Sequence, residues 1–122
     1  MDIVINQDSP TPIYRQITEQ IASLIIQDKL HANEILPSIR AIALDLKISV
    51  ITTKKAYEEL ESMGLIYTIS GVGCFVSEIK HTEVISSINT IVSQKMRNDI
   101  AFYKSFGLSN DEILELIQSI LN

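Results

Sequence analysis

Two periods run along the chain. From Ile13 the apolar positions Ile13, Ile17, Ile21, Leu24 and Ile25 recur every three to four residues, the spacing of one helix face. Thr11 is placed to cap this helix with Pro12 in its first turn, and the period fades near Lys29. "LHANEILPS" then breaks it. Asn33 is the residue there that best tolerates a left-handed backbone, and Pro37 keeps Leu36 out of helix. Ser38 caps a short helix predicted over Ile39–Leu46, with Ile42, Ala43 and Leu46 inward. Ser49 caps a third helix running to Met63, with Thr53, Ala56, Leu60 and Met63 on its buried face and Gly64 as its stop. Two helices joined by so few residues have the spacing of a helix-turn-helix.

Alternation then replaces the helical period. "LIYTI" and "CFVSEI" read as strands around "SGVG", where Gly71 and Gly73 supply the positive φ of a tight hairpin. Two strands alone are marginal; packed on three helices they complete a winged helix. Ahead of the first helix, "DIVIN" alternates within residues 1–10, as an arm or edge strand would. Helical spacing resumes near Thr82 through Val84, Ile85, Ile88, Ile91, Val92 and Met96, and runs past Tyr103 to Phe106, where Gly107 stops it. "SNDE" is a capping box, Ser109 with Glu112, ahead of a last helix carrying Ile113, Leu114, Leu116, Ile117, Ile120 and Leu121.

The predicted fold is therefore mainly α with a small β-hairpin. A winged helix-turn-helix domain spans residues 1–78, including the arm 1–10, and a two-helix C-terminal region spans 79–122. The apolar positions Ile85, Ile88, Val92, Ile113, Leu116, Ile117 and Ile120 form faces too wide for so small a helical pair to bury alone. Pairing with a second copy is the expected remedy, making 79–122 a dimerisation region. Folding back onto the first domain is the alternative.

Composition adds constraints. With 122 residues, 46 % of them hydrophobic, the chain supports a packed core. Cys74, the single cysteine, excludes an internal disulfide or a multi-cysteine metal site and reads as a small wing or core residue. The acidic opening "MDIVINQDSP" is unlike a signal peptide, and no apolar run approaches the ~18 residues of a membrane span, so a cytoplasmic protein without membrane contact is expected. His31 and His81 read as loop residues without metal-ligating neighbours, and "SGVG" lacks the helix and lysine of a phosphate loop. No enzyme activity, metal or cofactor is expected.

Charge changes the picture only when it is read locally. The net charge of −5 argues against a generic polyanion binder. Residues 38–57, however, hold four cations, Arg40, Lys47, Lys54 and Lys55, against Asp45 as the one acid before Glu58, a local balance of +3. In a helix-turn-helix the second helix enters the major groove by its N-terminal residues. Here its outward positions are Val50, Ile51, Lys54 and Lys55. Hydroxyls and lysines suit phosphate oxygens, apolar side chains suit thymine methyls, and the helix N-terminus adds partial positive charge.

"PIYRQITEQIASLI", "LPSIRAIALDL", "TTKKAYEELESMGLIYT" and "GVGCFV" together resemble the DNA-binding domain of the GntR family of bacterial repressors. "KAYEELESMGLI" and the short tail resemble its YtrA-type subfamily. The resemblance covers residues 11–77 closely and "GLSNDEILELI" more loosely. It implies Arg40 as a DNA contact from the start of the second helix, and Ser49, Thr52 and Lys54 as contacts from the recognition helix. Ser70 and Gly71 would bring the wing tip near the minor groove. It further implies a homodimeric repressor on an inverted-repeat double-stranded DNA operator, controlling an adjacent transporter operon. It leaves room for a small-molecule effector without naming one. Three positions depart from the family pattern: Val50 stands where many relatives have Arg or Pro, Ala32-Asn33 where many have Pro-Gly, and Cys74 where Thr is usual. The rival reading is a winged helix that binds a protein partner through its acidic surface.

Overall fold

The computed structural model describes residues 1–122, the side chain of His81 excepted. Five helices and one hairpin follow in the order α1 (Ile13–Ile26), α2 (Ile39–Leu46), α3 (Val50–Ser62), β1 (Ile66–Ile69), β2 (Gly73–Val76), α4 (His81–Lys104) and α5 (Asn110–Leu121). They form two compact units, Met1–Val84 and Ile85–Asn122. The mainly helical, winged-helix expectation holds. His81 opens α4 rather than lying in a loop.

In the first unit α1 and α2 both pack on α3. The apolar stripe of α1 buries Ile17, Ile21, Ala22 and Ile25. It meets the stripe Thr53, Ala56, Tyr57 and Leu60 of α3, spaced as one helix face. Ile42 and Ala43 of α2 join this core, and Leu65, Ile66 and Val76 close it from the hairpin. Leu46 is only half-buried, and Met63 is the half-buried C-cap of α3 rather than part of its buried face.

The helix ends have local causes. Ser38 Oγ accepts from Ala41 N at 3.0 Å and Ser49 Oγ from Thr52 N at 3.0 Å, as their cap positions predict. At the C-termini, Lys29 N reaches Leu24 O, Ile48 N reaches Ala43 O and Leu65 N reaches Leu60 O. These closures put Asp28 (φ 58°), Lys47 (φ 56°) and Gly64 (φ 76°) in the left-handed region. The closure at Asp28 ends α1 at Ile26, earlier than the apolar period suggested. Thr11 does not cap α1. Pro12 stands at the N-cap and has no side-chain acceptor to offer; Gln16 Nε2 reaches back over this end, donating to Thr11 O at 2.9 Å and Asn6 O at 3.0 Å.

The arm is extended and held by α1. Gln20 accepts from Val4 N at 3.0 Å through Oε1 and donates to Val4 O at 2.8 Å through Nε2. Gln16 accepts from Asn6 N at 2.8 Å. One helical turn separates the two glutamines and two residues separate their partners, so each side-chain amide pairs with the arm as a neighbouring strand would.

The hairpin pairs Ile66 with Val76 through to Ile69 with Gly73. Its other edge is covered, which the sequence pattern did not suggest. Asn33 N donates to Val76 O at 2.7 Å, Val76 N to Glu34 O at 2.9 Å and Leu36 N to Cys74 O at 2.9 Å. Residues 33–36 thus supply the third strand-like segment that two strands need. Asn33 has the expected positive φ, 67°, and its Oδ1 accepts from Tyr67 Oη at 2.8 Å. Gly73 suits this place by its backbone, φ 150°, since a Cβ there would only touch Ile35 Cδ1 at 3.4 Å. Cys74 is half-buried on β2, its Sγ 3.4 Å from Thr68 Oγ1.

α4, most of it in the second unit, is a continuous helix that ends at Lys104, short of the predicted Phe106, with Gly107 (φ 86°) beyond it. Both bonds of the predicted capping box are present at α5: Glu112 N donates to Ser109 Oγ at 3.2 Å, and Ser109 N to Glu112 Oε1 at 3.1 Å. The backbone bond, with the side-chain bond behind it, holds the Glu112 carboxyl below the usual range. Phe102 packs edge-on against Phe106, centroids 5.0 Å apart. Ile113 is buried and Ile117 half-buried, whereas Ile85, Ile88, Val92, Leu116 and Ile120 are exposed. No described helix is long and apolar enough to cross a membrane.

Candidate nucleic-acid interface

The connection Lys47–Ser49 turns the chain from α2 into α3. Its left-handed residue is a lysine, whose side chain stays exposed. Ser49 then caps α3 twice over: its Oγ accepts from Thr52 N, and it also donates to Thr52 Oγ1 at 2.7 Å. The next helical residues, Val50 and Ile51, are 47 % and 80 % exposed. The first turn of α3 holds no acidic residue, so nothing neutralises its positive end.

The cations divide by what they touch. Arg40 is exposed on the first turn of α2. Lys54 is exposed and 3.9 Å from Glu58, an ion pair too solvated to fix it. Lys55 turns toward α1, its Nζ 4.1 Å from the centre of the Tyr14 ring. Arg15 Nε, 3.1 Å from a Glu59 carboxylate oxygen, joins α1 to α3 on the same helix pair. In the wing, Val72 N donates to Ile69 O at 2.9 Å, and Gly71 (φ 75°) takes the position that a type II turn reserves for positive φ. Ser70, Gly71 and Val72 are exposed at the tip.

Two residues escaped the sequence reading. Val72 stands at the wing tip between two glycines. Tyr57 lies on the buried stripe of α3, one turn beyond Thr53, and that spacing could have revealed it. Its Oη donates to Pro37 O at 2.6 Å, across a separation of 20 residues. Burial, and secondarily the nearby Cys74 thiol, pushes the Tyr57 phenol above its ordinary range, so it stays protonated and remains a donor. This bond ties the lead-in of α2, two residues before Ile39, to the middle of α3. The helix bearing Arg40 is thereby held against the helix bearing Ser49 and Thr52. Among the described residues no group of three or more His, Cys, Asp or Glu could hold a metal ion.

Residues 13–76, from the start of α1 to the end of β2, match the gntR family of bacterial regulatory proteins. The chain belongs to the GntR family. Its likeness to the HTH-type transcriptional repressor YtrA of Bacillus subtilis (strain 168) extends beyond that domain, at 31 % identity over 118 residues, 97 % of this chain and 91 % of the relative. The solved structure of YtrA from Sulfolobus acidocaldarius, a GntR-family transcription factor, is 30 % identical with a TM-score of 0.60 and covers 98 % of this chain and 96 % of its own. The structure of AraR(DBD) in complex with operator ORX1 is 29 % identical with a TM-score of 0.56, covering 63 % of this chain and 96 % of that one. In this GntR chain the exposed turn of α3, Arg40 and the wing tip all belong to the family-matched segment or its immediate elements.

Proposed function

We propose that this chain is a sequence-specific DNA-binding transcriptional repressor, acting in the cytoplasm as a homodimer on an inverted-repeat operator. The observation that carries this is the exposed, acid-free first turn of α3, with Lys54 exposed on the same helix and Arg40 exposed on the α2 packed against it, in an acidic chain. The operator complex of AraR(DBD) and the repressor relative YtrA support the same reading. Residues 1–78 form the DNA-binding domain and 79–122 the dimerisation region. Ser49, Val50, Ile51, Thr52 and Lys54 enter the major groove with the N-terminus of α3, while Lys55, a groove residue by sequence spacing, stays over the Tyr14 ring. Arg40 approaches from α2, and Ser70 and Gly71 approach the minor groove from the wing. The exposed faces of α4 and α5 pair across the two-fold axis. Control of an adjacent transporter operon, which the subfamily resemblance of the sequence implies, is part of the same proposal.

The test is selection of binding sites from a random duplex pool by the full chain at physiological salt, followed by Arg40→Ala, Lys54→Ala and the double variant. An enriched inverted repeat is expected. Each single variant should lose about 1–3 kcal/mol if it reads a base, or bind all duplexes more weakly with a shallower salt dependence if it holds phosphate. Unchanged binding by the double variant would remove these residues from the interface. No enrichment from a folded, dimeric protein would favour a protein partner for the winged helix.

A further inference from the structure

We infer that the first turn of α3 reads its half-site through thymine 5-methyl groups, with Ile51 as the principal reader and Val50 as its neighbour. This rests on the DNA-binding reading above and names the chemistry that it recognises.

The turn is inverted with respect to water. Ile51 is 80 % exposed, while Thr53, two residues later, is fully buried. An isoleucine so far exposed gains little in the free chain and releases most of its hydration only on docking. The polar groups beside it are mostly committed. The Ser49 hydroxyl proton goes to Thr52 Oγ1 at 2.7 Å and its oxygen accepts from Thr52 N at 3.0 Å. Thr53 Oγ1 donates to Ser49 O at 3.2 Å. Lys55 is drawn over Tyr14. What is left is the Thr52 hydroxyl proton and the mobile Lys54 ammonium.

That inventory excludes most base chemistry. Bidentate readout of guanine uses Arg or Lys, of adenine Asn or Gln, and cytosine N4 is met by Asp or Glu. Ser49–Lys55 contains no Arg, Asn, Gln, Asp or Glu. Lys54 and the Thr52 hydroxyl are the remaining hydrogen-bonding readers; a lone hydroxyl pairs with either kind of base edge, and Lys54, as a flexible point charge next to the positive helix end, suits a phosphate oxygen equally well. The thymine methyl is the apolar mark of the major groove, and it matches the side chains that this turn presents. Arg40 and Lys54 then supply affinity, and two aliphatic side chains supply much of the discrimination.

The test uses the full chain and the duplex that it selects from the random pool. Each thymine of one half-site is replaced in turn by uracil, which lacks only the methyl, and affinity is measured at fixed salt for wild type, Ile51→Ala, Val50→Ala and Arg40→Ala. Wild type should weaken about three- to tenfold at one or two positions, the worth of burying one methyl against an aliphatic surface. Ile51→Ala or Val50→Ala should bind the thymine and uracil duplexes equally at that position. Arg40→Ala should weaken both duplexes and keep their ratio. Both aliphatic residues are exposed, so the variants fold. If wild type binds and every uracil duplex lies within twofold of its thymine parent, the inference is overturned while DNA binding stands. If the thymine preference survives in both aliphatic variants, the methyl is sensed elsewhere and the inference is again overturned. If no duplex is bound at all, the underlying DNA reading fails and this falls with it.

Discussion

α1 and α4 carry aliphatic residues at the same spacing and end in opposite situations. Ile17, Ile21 and Ile25 of α1 are at most 6 % exposed, whereas Ile85, Ile88, Val92 and Met96 of α4 are 37–49 % exposed. Periodicity defines a face in both helices. It does not name what the face meets. The partner of α1 is α3 of the same chain, so the energy of that face is built into folding. The face of α4 is still half in water; in the proposed homodimer its energy is released on association and depends on protomer concentration.

The comparison can be broken most forcefully in the core. Leu60→Ala, at a side chain with no exposure, should cost about 3–4 kcal/mol in urea denaturation of the first unit. Ile120→Ala, at an 80 % exposed position, should stay within about 0.5 kcal/mol. A similar loss at both positions would show that α5 shares the core's folding. Next in size is the tail face. The pair Ile88→Asp with Val92→Asp should convert a dimer to a monomer in sedimentation at micromolar concentration, weaken operator binding by at least about tenfold, and leave the first unit's unfolding midpoint in place. A variant that still sediments as a dimer would move the interface away from α4.

A smaller effect sharpens the contrast from inside the first unit. Tyr57→Phe removes the bond to Pro37 O and leaves that carbonyl to find water, at a cost of about 1 kcal/mol. The phenol's folded pKa is raised above its unfolded value of about 10. Its stabilisation is therefore complete below pH 10 and is lost as pH climbs beyond it. Wild type should lose stability over that alkaline window faster than the Phe variant, in melts recorded from pH 8 upward. Parallel curves would mean that Tyr57 titrates alike in both states.

The parts legible in sequence were those fixed by near neighbours. Ser38, Ser49 and Ser109 announce their helices because an N-cap bond closes within three residues, and Asn33 and Gly71 announce their turns by backbone tolerance. The family likeness is carried by the short stretches 12–25, 36–46, 52–68 and 71–76. What escaped are pairings with no period. The segment 33–36 crosses to β2 some forty residues on, with one bridging residue, Ile35, too few to show alternation. The Tyr57–Pro37 bond spans 20 residues. At the candidate interface, sequence spacing turned Lys54 and Lys55 outward together, and only the structure reveals that a ring on α1 draws one of them aside.

The clasp between α1 and the arm has a consequence for how this chain can change over generations. Gln16 and Gln20 grip peptide groups, not side chains, at Val4 and Asn6. A change of side chain at Val4 therefore leaves the clasp intact, since any residue but one still presents the same N–H and C=O, whereas Asn6 also uses its side chain, its Oδ1 accepting from Asp8 N at 3.0 Å. Proline is the exception, because it has no N–H to give. The constraint sits instead on the two glutamines, whose shortening to Asn or charging to Glu would be felt across the whole arm. The clasp thus asks for two particular side chains on α1 and, at Val4, for backbone alone.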